Sequence, residues 1–270
     1  MEHVGSALFT RMLRSTTKFI GDQAVWRQTL AISVACAVLG GACLAELGAQ
    51  SVTAARSGTV SGHVTFSGKE PGNPVIRMGM DPKCAEMTRG QRVAQEQAVV
   101  ALDGSVANVF VRLDGELPPS PVPKEPVVID QRSCVYGPRV VGVQVGQRLV
   151  IRNDDSLLHN VHSVSTSSNG FNVGQPVAGA SYEFVPKAPE VMLRLSCDVH
   201  RWMTAFVGVV THPYFAVTDR SGEFSIRNIP PGTYTLKTWH EQFGERSQPV
   251  TVRPGIGATL DVTYERASMH

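Results

Sequence analysis

After residue 56 this chain reads as short strands and turns almost without interruption, a pattern that closes off most fold classes. In Thr59-Val60-Ser61-Gly62-His63-Val64-Thr65-Phe66, Val60, Gly62, Val64 and Phe66 share one parity and polar groups take the other. That period of two is the signature of a half-buried strand. Residues 107–113 alternate likewise. Residues 139–145 and 148–152 read as two strands flanking a hairpin-like break at Gly146-Gln147. Further strands are expected over 191–195, 205–210, 215–218, 223–226, 233–238, 249–252 and 259–263. No amphipathic stretch longer than two helical turns follows residue 56, and residues 88–97 are the one place where a short helix is expected. Leu117-Pro118-Pro119-Ser120-Pro121-Val122-Pro123 reads as a stiff linker. Short strands and turns at this spacing predict an all-β protein built of Greek-key sandwiches.

Residues 1–55 differ from the rest. Arg11, Arg14, Lys18 and Arg27 precede an apolar run over 30–45 rich in Ala, Val and Gly, which reads as a secretory signal with a long basic start. Gly40-Gly41-Ala42-Cys43 is faintly similar to a lipoprotein cleavage site. Membrane attachment is therefore expected only through an uncleaved or lipidated N-terminus, and the mature chain is expected to be periplasmic or secreted. The formal net charge of the 270-residue chain is +2, which gives no electrostatic footprint for nucleic acid.

Export makes the cysteines informative. Cys36 and Cys43 fall in the signal, so the mature chain keeps Cys84, Cys134 and Cys197. Cys84 in Asp-Pro-Lys-Cys and Cys134 in Gln-Arg-Ser-Cys stand in loop-like contexts and are free to pair, leaving Cys197 for another task. Cys197-Asp198-Val199-His200-Arg201-Trp202-Met203 places a thiol, an imidazole and a thioether on one short stretch, and His159-Asn160-Val161-His162 can supply a second imidazole. Two His, one Cys and a weakly held Met form the ligand set of a mononuclear electron-transfer copper site. His63, His162, His212 and His240 fit no such set and are expected to be structural or solvent-facing. No nucleophile–base constellation, paired carboxylates in a cleft or phosphate loop appears, so no catalytic residue is expected and the chain does not read as an enzyme.

Two resemblances organise these observations. Thr218-Asp219-Arg220-Ser221-Gly222-Glu223-Phe224 and Pro230-Pro231-Gly232-Thr233-Tyr234 resemble the carboxypeptidase-regulatory-like, transthyretin-like sandwich. Residues 213–265 hold only the later strands of such a domain, and Gly58-Thr59-Val60-Ser61-Gly62-His63-Val64 with Ala107-Asn108-Val109-Phe110-Val111-Arg112-Leu113 look like its early ones. A half sandwich would leave open edges, so the expected organisation is nested. A signal spans 1–55, the sandwich is divided between 56–118 and 213–265, and a second domain at 120–212 is inserted between its parts. Three modules in series are the alternative.

Residues 126–212 resemble a small cupredoxin, closest in pattern to amicyanin and plastocyanin, because the His-Asn pair and the Cys, His and Met fall in the family's order. The resemblance implies that His159, Cys197, His200 and Met203 hold one copper ion. It also implies that the Asn160 backbone amide donates to the Cys197 sulfur. Arg201 stands where many relatives have Pro, which implies a softer loop and an acidic redox partner. Trp202 is read either as core packing or as a shield or docking face. The expected function is single-electron transfer through an exposed edge of His200. The alternatives are copper sequestration, with the sandwich as a docking unit, and a vestigial site.

Overall fold

A computed structural model describes residues 56–265. The signal segment expected over 1–55 lies outside them. The strands are β1 (Gly58–Ser67), β2 (Phe110–Asp114), β3 (Val127–Arg132), β4 (Val135–Gly137), β5 (Val140–Gln144), β6 (Leu149–Asn153), β7 (His159–Val164), β8 (Phe171–Gln175) and β9 (Ser181–Phe184). They continue as β10 (Glu190–Ser196), β11 (Thr204–Val210), β12 (Phe215–Val217), β13 (Glu223–Ile229), β14 (Gly232–His240), β15 (Gly244–Val252), β16 (Gly257–Thr259) and β17 (Val262–Glu265). The helical pieces are a 3-10 turn at Met78–Met80 and α1 (Pro82–Met87). Among the described residues no helix is long and apolar enough to cross a membrane. The protein is all-β, as its alternation predicts.

Four sheets pack in two pairs. In the first pair β1 joins β13 on one side and β16 and β17 on the other, while the second sheet runs β12-β2-β14-β15. Strands from both ends of the chain thus share each sheet. Val60 and Val64 of β1, Val111 and Leu113 of β2, and Ile226, Leu236, Val250 and Tyr264 from the C-terminal strands fill one core. The second pair, β5-β11-β10-β7-β8 facing β4-β3-β6-β9, is drawn from residues 127–210 and closes around Ile129, Ile151, Val161, Leu193, Leu195 and Val207.

Two local expectations are corrected. β5 and β6 do not form a hairpin about Gly146-Gln147: β5 pairs in parallel with β11, and β6 in parallel with β3, in the opposite sheet. The turn carries the chain across the sandwich, so the alternation on either side was real but the strands' partners lie elsewhere. Residues 88–97 are not helical. The helix lies just before them, where Asp81 caps it by accepting from the Lys83 and Cys84 amides and Pro82 fills its first turn. Residues 93–95 instead run extended against 74–76.

The two sandwiches meet through aromatic side chains laid on bare backbone. Phe110 and Phe215 pack with Val140 and Val210, and Phe206 and Trp239 border them. A Cβ on Gly142 would stand 2.2 Å from Phe215 Cε2, and one on Gly208 would stand 2.3 Å from Phe110 Cζ. Both glycines are therefore required by close approach across this junction. Gly208→Val is expected to destabilise by about 1–3 kcal/mol through overpacking, checked as a shift in the denaturant midpoint. Beside the aromatics, Arg139 next to β5 and Glu241 after β14 form a two-pronged, largely buried ion pair.

Candidate metal centre

One end of the 127–210 sandwich brings the expected ligands together. His159 is the first residue of β7, Cys197 follows the last residue of β10, and His200 lies on the loop between β10 and β11. β7 and β10 are antiparallel neighbours in one sheet, so hydrogen bonding between strands fixes the first His relative to the Cys. The loop folds back on itself: the Met203 amide donates to the His200 carbonyl at 2.8 Å, and the Cys197 amide to the Met203 carbonyl at 3.3 Å. His159, Cys197, His200 and Met203 are each 2% exposed or less.

The donor atoms converge. His159 Nδ1 and His200 Nδ1 are 3.0 Å apart, and Cys197 Sγ is 4.0 Å from His200 Nδ1. The two imidazole nitrogens and the sulfur all lie within 4.8 Å of one another. Met203 shares the same core, with Trp202 packed against it.

The outer contacts decide which ring nitrogens face inward. His159 Nε2 lies 2.9 Å from Asp155 Oδ2, and His200 Nε2 lies 3.0 Å from Asp81 Oδ2. Burial pushes the Asp155 carboxyl up, but hydrogen bonds from His159 and from the Cys134 and Ser133 amides outweigh it and hold the group below its usual range. The hydrogen bond from His200 does the same for Asp81. Ionised carboxylates only accept, so both Nε2 atoms donate. The two Nδ1 atoms then face each other at 3.0 Å, with at most one proton between them. Such a pair is satisfied only by a cation or a shared proton between them, and two imidazoles with a thiolate suit copper. The residues therefore fit the ion that the resemblance implies.

The thiol is prepared in the same way. Burial raises the Cys197 pKa, yet hydrogen bonds from His159 and from the Asn160, His200 and Val199 amides bring it below the ordinary thiol value. Cys197 Sγ also lies 3.3 Å from Asn160 Oδ1, and the His200 amide donates to the sulfur at 3.4 Å. Asn160 also ties the two ligand segments together: its Oδ1 accepts from the Asp198 amide at 2.7 Å and its Nδ2 donates to Asp198 Oδ2 at 2.9 Å. Burial works against charge on His159, but Asp155 and Cys197 overcome it and raise its pKa to about 9.

Cys84 and Cys134 are bonded to each other, 50 positions apart in sequence, and Cys197 is free. A bridge of this span typically contributes about 2–4 kcal/mol. Cys84 stands on α1, and its Sγ is 3.5 Å from His200 Nε2. Trp202 Nε1 donates to the Cys134 carbonyl at 2.8 Å, and its ring centre lies 5.1 Å from that of His200.

This arrangement corrects the expectation of an exposed His200 edge. Asp81, Cys84 and Trp202 cover the imidazole and leave it 2% exposed. The cover comes from the β1–β2 connection, more than a hundred residues away in sequence, which the loop itself could not announce. Asp81 and Asp155 were missed as well. Asp155 stands four residues before His159, a spacing visible in the sequence, whereas Asp81 has no local signal. Of the other histidines, His162 is partly exposed and pairs with Asp198, and His63 meets Ser105 at 2.8 Å. Neither these nor His212 or His240 belong to a metal-capable cluster among the described residues. Burial lowers the His240 pKa to about 4, with Arg139 adding to the effect, so this ring is a neutral part of the packing.

Comparison with known proteins touches both halves. Residues 205–265 match the carboxypeptidase regulatory-like domain. No curated protein matches the chain. Among solved structures, a purple cupredoxin from Nitrosopumilus maritimus is similar over 31% of this chain and 98% of its own, at 23% identity and a TM-score of 0.27. A methionine-to-alanine mutant of amicyanin in its Cu(I) form covers 37% of this chain and 97% of its own, at 20% identity and a TM-score of 0.29. A copper-containing nitrite reductase from Thermus scotoductus SA-01 covers 36% of this chain but 25% of its own, at 16% identity and a TM-score of 0.28. The C-terminal strands of this chain are thus similar to the carboxypeptidase regulatory-like domain, and its structural neighbours include cupredoxins.

Proposed function

We propose that the protein is an exported mononuclear copper protein in which His159, Cys197 and His200 would hold the ion and Met203 would supply a weak thioether ligand. The observation that carries this reading is the convergence of two inward Nδ1 atoms and a buried, acidified thiol on one point. When bound, copper supplies a one-electron couple. The chain's own residues keep both imidazoles turned inward through Asp155 and Asp81, hold the sulfur with backbone amides, and exclude water. A rigid, dry donor set that serves both oxidation states favours single-electron transfer. The chemistry needs no catalytic side chain, so we read the protein as a carrier rather than an enzyme. The disulfide fits an oxidising compartment.

The redox partner is proposed to be acidic. Residues 77–92 of the covering segment carry exposed Arg77, Lys83, Arg89 and Arg92 against Asp81 and Glu86, and Arg201 is exposed on the ligand loop. Trp202, partly buried against His200, is the aromatic group nearest that surface.

The covered His200 edge favours one second reading, copper sequestration, because a buried ligand slows exchange with a partner. Voltammetry of the copper-loaded protein separates the two. A reversible one-electron wave is expected; a colourless protein that holds Cu(I) and shows no reversible wave would replace electron transfer with sequestration.

A further inference from the structure

The β1–β2 connection contributes more than cover. Asp81 uses its two oxygens for different tasks: Oδ1 accepts the Lys83 and Cys84 amides at the start of α1, at 2.9 and 3.3 Å, and Oδ2 faces His200 Nε2 at 3.0 Å. The amides fix the carboxylate's orientation independently of the imidazole. Asp155 is built on the same plan. Its Oδ1 accepts the Ser133 amide at 2.7 Å, and its Oδ2 accepts the Cys134 amide at 2.8 Å together with His159 Nε2. Ser133 and Cys134 have φ of 52° and 58°, a turn that two carboxylate hydrogen bonds help to hold. The Cys84–Cys134 bond joins these two anchors. A closed path therefore runs from His159 through Asp155, the Ser133-Cys134 turn, the disulfide, α1 and Asp81 to His200. The two ligand imidazoles are braced against each other from outside.

We propose that Asp81 is a positioning residue for the metal site: delivered by the β1–β2 connection and anchored through the disulfide, it holds His200 in the Nε2–H tautomer with Nδ1 toward Cys197. The proposal rests on the copper reading for its metal-bound consequences, but the tautomer it assigns belongs to the metal-free protein. A carboxylate on Nε2–H makes the imidazole a stronger donor, and donors of this kind favour the more highly charged ion. Asp81 therefore stabilises Cu(II) relative to Cu(I) and keeps the reduction potential low.

Two substitutions in the full chain separate positioning from helix capping. Asp81→Ser keeps a good cap residue, but its shorter side chain does not reach His200. Asp81→Asn keeps the cap through its one carbonyl oxygen and turns an amide nitrogen, a donor, toward His200 Nε2. In metal-free wild type, nitrogen-15 spectra of the His200 ring are expected to show the proton on Nε2. In Asp81→Ser they are expected to show a tautomer mixture. On loading, Asp81→Ser is expected to bind Cu(II) about 10–100-fold more weakly, the usual cost of losing such a partner. Asp81→Asn is expected to shift the ring proton toward Nδ1 and to raise the potential. A tenfold loss of Cu(II) affinity at constant Cu(I) affinity is a rise of about 59 mV. A wild-type His200 protonated on Nδ1, or an Asp81→Ser protein with unchanged tautomer, affinity and potential, would overturn the assignment. If wild type lacks copper affinity altogether, the copper reading fails while the ring spectra still decide the role of Asp81.

Discussion

Residues 213–265 expressed alone are expected to stay unfolded. β1 is the strand on which β13, β16 and β17 all pair, and β2 is the strand between β12 and β14. Both lie before residue 115, so the C-terminal piece lacks a central strand from each of its sheets. It also lacks Val60, Val64, Val109, Val111 and Leu113 from the core. Strands left with open edges and half a core do not hold together. Joining residues 56–118 to 213–265 through a Gly/Ser linker, without the intervening segment, is expected to restore a cooperative transition in denaturant. That shortened protein would expose Phe110 and Phe215, which normally pack against Gly208 and Gly142, so reduced solubility is expected with it. Cooperative unfolding of the isolated 213–265 piece would instead favour modules in series.

The second large effect is expected from Cys197→Ser: complete loss of the sulfur-to-copper absorption, with a change in folding stability within about 1–2 kcal/mol. The thiolate is the charge-transfer donor, while the fold is held by the sheets around it. A serine hydroxyl can accept the His200 amide and donate to Asn160 Oδ1, as the thiol does now. The visible spectrum and a denaturant titration of the variant check the two halves of this expectation. Undiminished absorption would remove Cys197 from the metal site.

The strands were legible because each buries one face, and burial writes a period of two into the sequence. β1 shows this plainly, with Val60, Val64 and Phe66 inside. Pairing was less legible. β5 and β6 look like hairpin partners, yet the turn at Gly146 moves the chain to the opposite sheet, and alternation carries no information about which neighbour a strand meets. The candidate ligands were legible because donor type and spacing are local: Cys197, His200 and Met203 occupy one loop. The cover over that loop was not. Asp81 and Cys84 reach His200 from the far side of the sequence. The helix that Asp81 caps and Cys84 stands on is six residues long, too short for periodicity to reveal. A charged residue in a loop looks the same whether it faces water or a ligand imidazole.

The copper site requires the donor set to act together on one ion, and titration of the purified full chain with Cu(II), followed by visible and electron paramagnetic resonance spectra, tests this most directly. One equivalent of Cu(II) is expected to produce an intense visible band from a thiolate–copper bond, saturating at a single ion per chain and absent from Cys197→Ser. Only weak ligand-field absorption, or a spectrum that Cys197→Ser reproduces, would contradict it.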